Sequence, residues 1–89
     1  MIQVISTTHF KRSRKRYTKN NIKRAKQYLS TLNLFRHNST HVGLKVEKLM
    51  NSDMWSMRIN KSDRIFFAWI DNNTALLLEI GLHDMYRKV

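Results

Sequence analysis

The 89-residue chain has no cysteine, no proline, two glycines and only six acidic residues, none of which precedes Glu47. The missing cysteine excludes a disulfide framework, a cysteine-based zinc site and a thiol nucleophile. With no proline and little glycine, the turns fall to Asn, Asp and Ser, as in NKSD at Asn60 to Asp63. No apolar run approaches the roughly 20 residues that cross a bilayer. Met1 opens directly into IQVIS with no signal-peptide pattern. A cytoplasmic protein with no membrane partner is therefore expected. At this length one domain with a single small core is expected.

What the chain does have is cationic charge. Seventeen Lys and Arg against six Asp and Glu give a net charge of +11, which selects polyanions, nucleic acid foremost, as partners. The charge is uneven. Lys11, Arg12, Arg14, Lys15, Arg16, Lys19, Lys23, Arg24, Lys26, Arg36 and Lys45 all stand in the acid-free N-terminal half, and every acidic residue lies from Glu47 onward.

Ile2 to Ile5 is short and β-branched, and Ser6, Thr7 and Thr8 offer N-caps. A first helix is predicted over His9 to Lys19, with Phe10 and Tyr17 as a narrow apolar stripe. Asn20 and Asn21 cap a second, whose Ile22, Ala25, Leu29 and Leu32 follow the 3,4,3 spacing of a buried face. Asn33 to His41 reads as a loop. Strands are predicted over Val42 to Leu49, Met54 to Asn60, Arg64 to Ile70 and Ala75 to Ile80. The third and fourth are apolar on both faces, as central strands are. The fold class is α+β: an N-terminal strand, a helical hairpin, then an antiparallel β-meander forming a small sheet.

LKVEKL at Leu44 to Leu49, WSMRIN at Trp55 to Asn60, RIFF at Arg64 to Phe67 and IGLHDMY at Ile80 to Tyr86 follow that hairpin in order. Together they resemble the RelE/ParE toxin superfamily over almost the whole chain. The resemblance implies a toxin of a type II toxin–antitoxin pair, neutralised by a cognate antitoxin. Ribosome-dependent members of RelE and YoeB type cleave mRNA in the ribosomal A site, whereas ParE-type members of the same fold act on DNA gyrase. Fold alone does not choose between them.

Metal-independent RNA cleavage needs a base for the 2′-hydroxyl, an acid for the leaving oxygen and fixed positive charge at the phosphate. The resemblance places the phosphate-binding arginine at Arg64, whose planar fork suits two phosphate oxygens; a strand-end arginine paired with Asp63 or Asp71 is the structural alternative. It places a proton-transfer residue at His83, whose imidazole can both give and take a proton, and an orienting tyrosine at Tyr86. Glu47 joins these as a catalytic candidate. Lys45, Lys48 and Arg58 are candidate RNA contacts, as are Lys11, Arg12, Lys15 and Arg16 in the run KRSRKR.

Alternation sets Lys45 and Glu47 opposite Leu44 and Val46, and puts Arg58 on one face with Ser56. A four-residue turn would set Ile59 across from Arg64, and a five-residue connection would set Arg58 there. Some ribosome-dependent relatives carry a lysine pair on the strand where this chain has Trp55 and Met57. Trp55 and Trp69 are expected in the core. His37 and His41 lack an HExxH context, and neither a metal nor another cofactor is expected. The expected partners are an antitoxin, the ribosome and mRNA. A gyrase-binding toxin and a non-catalytic nucleic-acid-binding protein of the same fold are the alternatives.

Overall fold

The computed structural model describes residues 1–85. The first strand, β1, spans Gln3–Ser6, and the helices α1 (Thr8–Thr18) and α2 (Ile22–His37) follow. A 3₁₀ turn at Val42–Leu44 leads into β2 (Glu47–Lys48), β3 (Trp55–Arg58), β4 (Asp63–Asp71) and β5 (Thr74–Leu82). The strands form one sheet in the order β1-β5-β4-β3-β2, with β1 parallel to β5 and the other pairs antiparallel. The two long strands, β4 and β5, lie at or beside the centre, as their two-sided apolar pattern requires.

Local chemistry starts both helices. The Thr7 hydroxyl accepts a hydrogen bond from the Phe10 N–H at 3.0 Å, and the Asn21 side chain accepts one from the Arg24 N–H at 3.0 Å. Asn20 makes the tight link between them at φ 53°, a left-handed conformation that asparagine tolerates. Lys15 and Arg16 close α1, and Arg36 and His37 close α2, so cations meet the negative end of each helix dipole.

The helices cover one face of the sheet. Phe10, Phe35, Met57, Ile65, Phe67 and Leu77 are fully buried between the layers. Phe35 meets Phe67 edge-on with ring centroids 5.1 Å apart, a geometry that favours aromatic pairs beyond the area they bury.

Three expectations need correction. The second helix does not end before Asn33; it continues to His37 and carries Phe35 into the core. Its buried face is Tyr28, Thr31 and Phe35, also spaced 3,4, while Ile22 and Leu29 are 75% and 62% exposed. The helix is turned about a quarter turn from the expected face, because the two aromatic rings bury more area than the aliphatic stripe.

The third correction concerns Val42 to Leu49, which is not one strand. His41 accepts a hydrogen bond from the Gly43 N–H through Nδ1, and Lys45 adopts φ 45°. Extended pairing begins only at Glu47, opposite Ser56, and ends at Lys48, opposite Trp55.

Candidate active site

The connection between β3 and β4 organises the site. Ile59 N–H donates to the Asp63 carbonyl at 3.0 Å, and the register places Arg58 opposite Arg64, which resolves the two spacings in favour of the five-residue connection. The Asn60 side-chain oxygen accepts from the Ser62 and Asp63 N–H groups, both at 3.0 Å. Its amide donates to Asp63 Oδ2 at 3.1 Å and to Gln27 Oε1 of α2 at 2.9 Å. Tyr17 of α1 donates its hydroxyl proton to the same Asp63 oxygen at 2.5 Å. Both helices thus grip the turn through buried and half-buried polar groups that satisfy one another.

The grip fixes the arginines. Arg64 Nη1 donates to the Asn60 and Asp63 carbonyls, each at 3.0 Å, and Arg58 Nε donates to the Asn60 carbonyl at 3.2 Å. Asp63 therefore meets Arg64 through its backbone and turns its carboxylate away to Tyr17 and Asn60. Arg64 keeps Nε and Nη2 uncommitted among the described residues, enough for two oxygens of one anion. Partial burial, then the charge of Arg58, pushes the Arg64 pKa down, while Glu47 and Asp63 act the other way. An arginine stays charged under such a shift, but its charge is incompletely compensated, and a bound anion would relieve it.

Arg64 lines a cleft of about 260 Å³ together with Glu47, Leu49, Ser56 and His83. Glu47 comes from the edge strand β2 and Ser56 stands opposite it on β3. His83 follows the end of β5, where its backbone N–H donates to the Ser62 carbonyl at 2.8 Å. The cleft brings three expected catalytic residues, Glu47, Arg64 and His83, to one place from 37 residues of chain. Tyr86 lies outside the described residues. Ser56, which sequence reading passed over as a site residue, is buried in the cleft wall; its place two residues before Arg58 on the same face was the available signal.

The candidate RNA contacts are spread more widely. Lys48 is exposed on the edge strand, and Lys45 lines a separate, larger pocket that also reaches Glu47. Lys11, Arg12, Lys15 and Arg16 are all exposed on α1, and the last three border a shallow groove of about 510 Å³ with Thr18 and Lys19. Their charge surrounds the helical layer rather than the cleft.

A second titratable cluster joins α1 to β5. The Glu79 carboxylate, in a residue only 7% exposed, meets His9 Nε2 through Oε2, and its Oε1 accepts from the Ile80 N–H at 3.0 Å. Burial works to raise the Glu79 pKa, but hydrogen bonds from Ser13, His9 and the Ile80 N–H outweigh it and hold the carboxyl below its usual range. Burial, then hydrogen bonding to Asp63, raises the Tyr17 hydroxyl far above the ordinary phenol value, so it serves as a donor throughout the neutral range.

No family model and no curated protein matches this sequence. Solved structures do match its shape. The E. coli DinJ-YafQ complex contains a chain that superposes with a TM-score of 0.76 at 11% identity, over 99% of this chain and 100% of that one. The YoeB-YefM complex from Staphylococcus aureus gives 0.70 at 23% identity, over 93% and 98%. The YoeB/ParE toxin from Agrobacterium tumefaciens gives 0.74 at 12%, over 92% and 99%. At these identities the likeness is one of fold, and it extends over nearly the whole length of each chain.

Proposed function

We propose that this chain, which has the fold of the RelE/ParE toxin superfamily, is the toxin of a type II toxin–antitoxin pair and cleaves mRNA on the ribosome without a metal ion. The observation that carries the reading is the meeting of Glu47, Arg64 and His83 in one cleft. A carboxylate and an imidazole there flank a guanidinium with donors to spare, which are the group types that phosphate transesterification uses.

In this reading Arg64 holds the scissile phosphate, with Arg58 adding charge beside it. Glu47 takes the 2′-hydroxyl proton as that oxygen attacks phosphorus. The bond from phosphorus to the 5′-oxygen breaks, His83 supplies the proton that the leaving oxygen needs, and a 2′,3′-cyclic phosphate remains. Tyr86 is proposed as an orienter of the phosphate. The exposed cations Lys11, Arg12, Lys15 and Arg16 supply attraction to ribosomal RNA, and Lys45 and Lys48 contact the message. Before release the toxin is held by an antitoxin whose acidic segment covers the cationic surface, and it acts in the cytoplasm.

Neighbouring structures support the toxin class through the partners named with them, YefM and DinJ. The decisive experiment induces the protein in cells and maps cuts on a reporter message by primer extension, with translation running and with it blocked. Cuts confined to translated message, lost in the Arg64→Ala, His83→Ala double variant, are expected. Growth arrest with intact message and DNA-damage signalling would overturn the nuclease reading in favour of gyrase.

A further inference from the structure

A pocket larger than the cleft at Arg64 lies elsewhere on the chain. It has a volume of about 690 Å³ and lies between the Ser39–Val42 segment and the sheet, where Trp55 and Trp69 form part of its wall beside His41 and Lys45. The chain has only two tryptophans, and both are half-buried here. Trp69 is held from behind by Phe35 at 5.6 Å and by Phe67, whose ring stands at 85° to it at 5.3 Å. A ring so fixed loses little entropy when a ligand packs against it.

The polar groups of the pocket are set as well. His41 Nδ1 accepts the Gly43 N–H at 3.0 Å, so in the neutral ring Nε2 carries the proton and is a donor. Gly43 permits this fold-back, since a Cβ there would stand 3.1 Å from that nitrogen. Ser39 and Thr40 add hydroxyls, and Lys45, held in a left-handed conformation, adds an ammonium. Two aromatic side chains, hydrogen-bond donors and one cation are the combination that takes an unstacked base with its phosphate. The volume falls in the roughly 300–1,000 Å³ range of small-ligand sites.

Glu47 lines both this pocket and the Arg64 cleft. Alternation puts Trp55 and Trp69 on the opposite face of β3 and β4 from Ser56 and Arg64, so a single-stranded RNA that serves both sites passes round the short β2 edge at Glu47.

We propose that the Trp55–Trp69 pocket is a nucleobase-binding subsite, which takes a base of the RNA strand whose scissile phosphate lies at Arg64, with Lys45 on the neighbouring phosphate. It rests on the reading of this chain as an RNA-cleaving toxin, and it adds a second point of contact that selects which nucleotide is presented. A protein partner would seat an apolar side chain there instead. The hydroxyls, the His41 donor and Lys45 favour the nucleotide.

The test uses the whole chain and its two tryptophans as reporters. The four ribonucleoside 5′-monophosphates are titrated against indole fluorescence excited at the red edge of its band, with ribose 5-phosphate as the control. At least one nucleotide is expected to quench the emission while ribose 5-phosphate leaves it unchanged. Lys45→Ala and Trp55→Phe, each checked for folding by circular dichroism, are expected to weaken that binding about tenfold, as loss of one stacking or charge contact does, and Lys45→Arg to restore it. Arg64→Ala is expected to leave it within about twofold, because the cleft is a separate site.

No quenching by any nucleotide, equal quenching by ribose 5-phosphate, or loss of quenching in Arg64→Ala would overturn the proposal. So would quenching by a leucine-bearing acidic peptide alone, which would assign the pocket to a protein partner. Nucleotide quenching in a protein that cuts no message upholds the pocket and removes the nuclease reading. Cutting without quenching does the reverse.

Discussion

Arg58 and Arg64 face each other across β3 and β4, and one carbonyl, that of Asn60, accepts a hydrogen bond from both guanidinium groups. Two like charges are thereby held side by side at a turn. Their repulsion is part of what lowers the Arg64 pKa, and an anion placed between them gains from both.

Arg64→Ala is therefore expected to reduce message cleavage by about 100- to 1,000-fold, the usual cost of removing one fixed charge-stabilising donor. Arg64→Lys keeps the charge but loses the fork, and should fall between wild type and Ala. Single-turnover rates on a programmed ribosome measure both. Equal rates for wild type and Ala would remove Arg64 from the chemistry.

Tyr17 holds Asp63, and Asp63 with Asn60 holds the turn that presents both arginines. Tyr17→Phe deletes one buried hydrogen bond, so a loss of about 1 kcal/mol is expected. In a domain of this size that lowers the Tm by about 4–8 °C. A thermal melt checks the stability, and the cleavage rate well below the Tm checks whether the arginines have shifted.

Glu79 is held below its ordinary pKa in the folded state. Such a carboxylate stabilises the fold above its unfolded value, and that contribution is lost as pH falls through the depressed folded value. The Tm of the wild type should therefore drop as the solution is acidified below the unfolded carboxylate range. Glu79→Gln should begin lower at neutral pH and lose less on acidification. Parallel Tm curves for the two proteins would show that the carboxylate contributes nothing.

The exposed cations of α1 predict a salt signature. Each phosphate contact on single-stranded RNA contributes about 0.7 to the slope of log K against log salt. Replacing Arg12 and Arg16 by Gln should lower the slope by up to about 1.4 without altering the cut positions. Filter binding at several ionic strengths measures the first and primer extension the second.

Much of this molecule is legible in its sequence. The caps at Thr7 and Asn21, the burial of Phe10 and Tyr17, and the central place of β4 and β5 follow from short-range patterns. Arg64, His83 and Glu47 were singled out by a resemblance in motif order rather than by periodicity, and the structure sets them around one cleft. The face of α2 did not follow, because two 3,4-spaced stripes competed, and the aromatic one won on area that only the assembled sheet offers. The 3₁₀ turn at Val42–Leu44 was hidden for a different reason. It depends on the His41 imidazole folding onto Gly43, a tertiary detail with no periodicity. The register of Arg58 was open until the Asn60 side chain was seen to close the connection from inside.

The two margins of the sheet have a consequence for how this protein keeps to itself. On the outer side of β1, Ile2 both donates to the Arg36 carbonyl at 2.8 Å and receives the Arg36 Nε–H at 3.3 Å, and on the other side β2 ends after two residues beside Lys48. One margin is tied at its start to a helix end, and the other is too brief and too charged to recruit a strand from another molecule readily. A chain rich in β-forming segments can thus accumulate without its sheets joining edge to edge.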